Sequence, residues 1–174
     1  MLPTDSPASA PTLRTVTGPL AADAIPGPVL AHEHLVLDLD VVGDGAAVLD
    51  AGQHGGAVAA ELADLRAAFG LGLVVELTCR GMGRDPRALA RIARATGVAV
   101  VAATGWYYEA FHPPHLREHS VDDLTRLLLD EIGRGLDATG ILPGVLGEIG
   151  SHGDVPTAPE SRALRAAARA GLAS

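Results

Sequence analysis

Apolar positions along the 174-residue chain gather in four short continuous runs, PVLAHEHL (28–35), LGLVVELT (71–78), VAVVAATG (98–105) and PGVLGEIG (143–150). A strand with one wet face alternates apolar and polar residues, whereas continuous runs of this length are what strands covered on both faces need. Between them, apolar residues return at helical spacing over 57–69, 86–96, 121–134 and 159–170. Helix punctuation agrees with the spacing. Asp85 before Pro86 reads as an N-cap with proline at the first helical position, and Gly97 stands where a C-cap glycine belongs. Ser120, with Asp123 three residues on, starts the third helix in the same way. The predicted order is βαβαβαβα, preceded by RTVTGPLAADAIPG, whose turn residues between short apolar pieces predict a hairpin lid across the barrel floor.

Such alternation permits an open doubly wound sheet or a closed (β/α) barrel. A dinucleotide sheet would carry G-x-G-x-x-G after the first strand, and none is there; GMGRDP after the second run lacks the third glycine and the apolar helix start. A nucleotide fold is therefore disfavoured. The length suits one domain, taken as residues 15–174, with residues 1–14 disordered.

Composition narrows the setting. An apolar fraction of 48% with mean hydropathy of +0.25 fits a packed globule, and the runs are too short to span a membrane. The net charge of −8 includes thirteen arginines and no lysine, so no basic stripe is offered to a phosphate backbone and nucleic acid is excluded as a partner. A single cysteine, Cys79, rules out an internal disulfide, and MLPTDSPASAPTLR lacks the apolar segment of a secretory signal. A cytoplasmic protein is the expectation.

The candidate chemistry sits at the strand ends. Residues two apart in a strand share a face, so His32 and His34 can point into one cavity and reach one divalent ion. An isolated H-x-H equally describes one buried, hydrogen-bonded histidine beside a surface one. Glu148 sharpens the first reading, because a carboxylate inside GVLGEIG is costly unless it meets a cation, either a metal or an arginine such as Arg80 or Arg84. Glu76 is read as an acceptor that orients a histidine N–H, and Thr78 and Thr104 as hydrogen bonders. In a parallel barrel all these strand ends share the face where active sites lie.

The loop TGWYYEAFHPPHL, 104–116, holds Trp106, Tyr107, Tyr108 and Phe111, as a substrate-pocket wall would, with ordinary loop packing the competing view for Tyr108 and Phe111. His112, His115 and His119 are read as solvated or capping residues, and His54 and His152 as surface residues. Cys79 lies beside Arg80, which would lower its pKa, but no base has identifiable spacing and no G-x-S-x-G elbow occurs.

Taken in order, VTGPL, LAHEHL, ELTCRGMGRDP, VVAATGWYYEAFHPPHL and GVLGEIGS resemble the phosphotriesterase family of the amidohydrolase superfamily, from about Thr15 to the last helix. The resemblance implies a TIM (β/α)8 barrel holding two divalent metals, usually zinc, whose bridging hydroxide attacks an ester, lactone or phosphotriester. His32 and His34 match the first-strand metal ligands, Glu148 the bridging carboxylate of the fourth strand, and Trp106 and Tyr107 the leaving-group pocket. Many members bridge with a carbamylated lysine; this chain resembles instead the phosphotriesterase homology protein branch, which has glutamate there. Two oxygens on Glu148 serve the same bridging purpose.

The resemblance also implies two further histidines from strands five and six and an aspartate from strand eight, which these residues do not supply. A full barrel takes about 250 residues, so the chain corresponds to the N-terminal half, about four βα units. Half a barrel leaves two strand edges unpaired, from which self-association or a complementing C-terminal half is expected. The function expected is that of a zinc-dependent hydrolase, inactive or weakly active from this chain alone, with at most one zinc weakly held. The alternative is a noncatalytic remnant or partner-binding half-barrel module.

Overall fold

A computed structural model describes residues 11–41 and 43–174. Most of the segment expected to be disordered lies outside the described residues, but strand β1 (Thr12–Thr15) already falls before the expected domain start. It pairs antiparallel with β2 (Gly18–Ala21), forming the predicted hairpin, and is tied to the sheet by Val16 N–H donating to Val100 O at 2.8 Å.

After β3 (Val29–Glu33) come the two-residue strands β4 (Leu37–Asp38) and β5 (Val48–Leu49), then α1 (Ala51–Phe69), β6 (Leu73–Glu76), α2 (Pro86–Thr96), β7 (Ala99–Thr104), α3 (Val121–Arg134), β8 (Val145–Leu146) and α4 (Ala158–Ala173). The helix starts follow their caps. Asp85 accepts from Ala88 N–H, and Ser120 and Asp123 form a reciprocal capping box, so α2 and α3 run as the spacing predicts. Helix α1 begins earlier than 57, because Asp50 accepts from the N–H groups of Gly52 and Gln53 at 2.8 Å and so initiates a helix through AGQHGG. Thr157 and Glu160 likewise carry α4 one residue ahead of the expected start.

Strands β3, β6, β7 and β8 form one parallel sheet in sequential order. A doubly wound sheet reverses its order at a switch point, whereas a barrel winds one way, so the topology is that of a half-barrel. Val74, Val100 and Ala102 pack from this sheet against Leu62, Leu89, Ile92 and Ala93 of α1 and α2. A second cluster joins α3 and α4 through Leu124, Leu128, Ala163, Ala166 and Ala170.

One expectation fails at the first strand. Its apolar run suggested cover on both faces, yet Val29 is 45% exposed. Strand β3 ends the sheet order and has only β6 beside it, so part of its surface stays wet. The ordered strands are also shorter than the apolar runs, since the run ends turn away into the loops that carry the polar residues.

Candidate metal centre

Three side chains meet at the C-terminal ends of the two outer strands of the sheet: His32 lies in β3, His34 directly after it, and Glu148 just past β8. His32 Nε2 lies 3.2 Å from Glu148 Oε2 and His34 Nε2 lies 3.6 Å from Glu148 Oε1. Their candidate ligand atoms all fall within 4.8 Å of one another. Zinc bonds of about 2.1 Å in a tetrahedron place neighbouring ligand atoms about 3.4 Å apart, close to the spacings observed. The donor set, two imidazoles and a carboxylate, also suits a borderline-soft divalent cation. His32 is largely exposed, at 58% of its side chain, and Glu148 is 18% exposed, so the group opens outward.

The arginine alternative for Glu148 is resolved by where Arg80 and Arg84 go. Both pair with Glu131 and Asp137 behind β7, with Arg84 Nη2 at 2.8 Å from Glu131 and 2.7 Å from Asp137. Thr104 completes that network by donating to Glu131. Burial alone would lower the Arg84 pKa, but its bonds to Asp137 and Glu131 raise it, and the guanidinium stays charged.

His34 is held from behind. Its Nδ1 lies 2.9 Å from Thr78 Oγ1, whose neighbours also include Val36 O at 2.7 Å and Glu76 Oε1 at 2.5 Å. A hydroxyl has one proton to give, and the carbonyl can only accept. With Nδ1–H donating to Thr78, the single hydroxyl proton stays available to Val36 O or Glu76, and the Nε2 lone pair faces Glu148. Burial lowers the His34 pKa, against an upward pull from Glu148, which favours the neutral imidazole. Glu76 thus acts one residue further back than expected. It reaches His34 through Thr78 rather than directly, and it also accepts from Leu35 N–H at 3.2 Å. Fully buried, it has its pKa raised to about 7 by desolvation.

Cys79 is no nucleophile. Burial pushes its thiol up to about 12, outweighing nearby Arg84, and its Sγ instead donates to Glu148 O at 3.2 Å. This contact escaped the sequence reading because nothing in C-R-G marks it.

The aromatic loop divides. Trp106 was expected to line the leaving-group pocket; its side chain is instead 2% exposed within the α3/α4 cluster, where the apolar faces of those helices enclose it. Tyr107 stays near the group: the negative charge of Glu148 adds to desolvation in raising its phenol pKa. Its ring stacks on Phe111 at 5.9 Å, and Tyr108 stacks on His152 at 5.1 Å. Gly81 brings the loop after β6 under this one: with φ at +97°, an added Cβ would lie 2.0 Å from Phe111 O.

Of the histidines read as solvated or capping, His115 is exposed, but His112 is buried and its Nε2–H donates to Tyr107 O at 2.9 Å. His119 bonds His115 O at 2.7 Å, and its ring meets the His115 ring edge to face. His54, expected at the surface, is half-buried because α1 starts early enough to include it.

Sheet order, loop aromatics and an H-x-H facing a glutamate describe a half-barrel with a candidate metal site at the C-terminal ends of its strands. The phosphotriesterase family model matches residues 11–173, and the chain belongs to that family. It is 37% identical over 145 residues to the phosphotriesterase homology protein of Escherichia coli, covering 83% of this chain and 48% of that protein. It is 41% identical over 122 residues to the N-acetyltaurine hydrolase of Bos taurus, covering 70% and 34%.

Among solved structures, the Escherichia coli phosphotriesterase homology protein, complexed with phosphate in its active site, superposes with a TM-score of 0.80 at 35% identity, covering 86% of this chain and 51% of that one. A resiniferatoxin-binding protein from Rhodobacter sphaeroides superposes at 0.81 with 31% identity, covering 92% and 52%. A mutant organophosphorus hydrolase from Deinococcus radiodurans gives 0.78 at 30% identity, covering 94% and 51%. The chain thus spans about half the length of these structures, and 48% and 34% of the two curated relatives named above.

Proposed function

We propose that the chain carries the first part of the active site of a zinc-dependent hydrolase acting on ester, lactone or phosphotriester bonds of small molecules. The observation that carries this reading is the convergence of His32, His34 and Glu148, with Glu148 free of Arg80 and Arg84. When bound, a divalent cation supplies Lewis acidity, making water a stronger nucleophile near neutral pH and polarising the bond to be cleaved.

The chain's own residues do the rest. His32 and His34 would hold the cation through their imidazole nitrogens. Thr78 fixes the tautomer of His34. Glu148 offers one oxygen toward each histidine, and either oxygen can take part in holding a cation or accept a proton from attacking water. Tyr107 forms the wall beside Glu148 and excludes water from one side of the bound substrate.

Turnover by this chain alone is expected to be weak, because the family's remaining ligands lie in a part of the barrel that these residues do not include. The sheet ends at β3 on one side and β8 on the other. Along β8 runs a groove of about 720 Å³ lined by Val101, Leu129, Ile132, Val145 and Leu146 among others. Self-association, or a polypeptide that supplies further strands, would cover it. A cytoplasmic setting accords with a lone, buried, unpaired cysteine; among the described residues no helix is long and apolar enough to cross a membrane.

Hydrolysis of γ-lactones and aryl esters by the purified chain, with and without zinc, tests the reading. A weak zinc-dependent rate that Glu148→Ala removes is expected. No zinc-dependent rate, together with no bound zinc, would leave the noncatalytic module as the better description.

A further inference from the structure

Glu160 is buried at 1% exposure, and its carboxylate does more than cap a helix. In the capping box at the start of α4, Oε2 accepts from Thr157 N–H at 2.8 Å, which is all that such a box requires. The other oxygen, Oε1, accepts from Glu109 N–H at 3.1 Å and from His152 N–H at 3.2 Å. Those two amides belong to different loops, one after β7 and the other after β8. Ring contacts join the same loops: Tyr108 on His152, and Tyr107 against Gly150, where an added Cβ would lie 2.9 Å from Tyr107 Cε2.

We propose that Glu160 is a positioning residue, clamping the aromatic loop onto the segment that follows Glu148 so that Tyr107 and Tyr108 form one fixed wall of the substrate mouth. The inference rests on the hydrolase reading for the word substrate; the clamp itself stands on the three backbone bonds. A carboxylate is the side chain that does this, because both oxygens accept and neither donates. Glutamine satisfies a capping box with its one carbonyl oxygen, so in Glu160→Gln that oxygen stays on Thr157 N–H and the pair on Glu109 and His152 faces an NH2 donor. Ionised and internally bonded, the carboxylate costs least when all three amides are in place.

The test separates clamp from cap. In the native chain the amide protons of Glu109 and His152 should exchange slowly with solvent, although both lie in loops. In Glu160→Gln they should exchange about tenfold or more faster, while in Thr157→Ala, which weakens the same helix start and leaves the clamp, they should keep their protection. Protection kept in Glu160→Gln, equal loss of it in both variants, or fast exchange in the native chain would overturn the proposal.

The wall is then read with phenylphosphonate and methylphosphonate on the zinc-loaded chain. Glu160→Gln should lower the phenyl-over-methyl binding ratio by about threefold to tenfold, the range of one aromatic contact, with zinc affinity unchanged; Thr157→Ala should leave the ratio alone. A ratio unchanged in Glu160→Gln would overturn the positioning role even if the amides are released. If neither phosphonate binds the native zinc-loaded chain, the hydrolase reading fails, and the exchange data still decide the clamp.

Discussion

His34 takes its orientation from a threonine that is itself held by a buried acid. Thr78→Val keeps the shape but removes the hydroxyl, leaving Nδ1 of His34 and the carboxyl of Glu76 without that partner. Loss of such an outer contact lowers metal affinity by about 10- to 100-fold, measurable by chelator competition, and Thr78→Ser should restore it. Glu76 predicts a pH effect of definite sign. Its pKa rises from 4.5 to about 7 on folding because desolvation disfavours the charge. The folded state therefore holds the proton more tightly than the unfolded one, so Glu76 favours folding at low pH, and that contribution is lost as pH rises from about 4.5 through about 7. Urea midpoints taken across that range in the presence of chelator should show the decline, and Glu76→Gln should flatten it. Arg84 is 2% exposed and bonded to two acids. Arg84→Ala leaves the buried Glu131 with Arg80 and Thr104 alone, and weakening a buried ion pair in this way should cost up to about 3–5 kcal/mol, visible as a lower urea midpoint with unchanged zinc affinity.

At the scale of elements, the helices were legible wherever a cap residue and an apolar period coincided. Asp85-Pro86 and Gly97 bracket α2, and Ser120 with Asp123 opens α3, because these signals act within one turn of the chain. Ser120→Ala should cost about 1 kcal/mol in thermal or urea unfolding, through α3 alone. The start of α1 was missed because Gly52, Gly55 and Gly56 argue against a helix by propensity, while the cap at Asp50 and packing of the later turns outweigh them. The histidine pair and Glu148 were visible as polar residues in apolar runs. Their convergence was expected from strand ends that share one face of a parallel barrel and from the family resemblance, and it depends on β3 and β8 curling toward each other across two intervening strands. Trp106 shows the limit of reading a loop by composition: its neighbour Tyr107 stays by the group while the indole turns into a core that only the packing of α3 on α4 creates.

For the whole molecule, the sequential parallel sheet and the family match agree on a barrel of which about half is present here, with TM-scores near 0.80 against structures it covers to about 51%. Edges at β3 and β8 and the apolar groove along β8 predict association. Light scattering should return a mass above 17.7 kDa that rises with concentration, and a monomer at all concentrations would argue against that expectation. The central claim is that His32, His34 and Glu148 hold one cation together. It is tested most directly by equilibrium zinc titration of the chain and of Glu148→Ala, with circular dichroism recorded on both. The account predicts one zinc per native chain and an affinity at least about a hundredfold weaker in the variant, with the helical signal retained. Equal zinc binding by both proteins, or loss of the helical signal in place of loss of zinc, would contradict it.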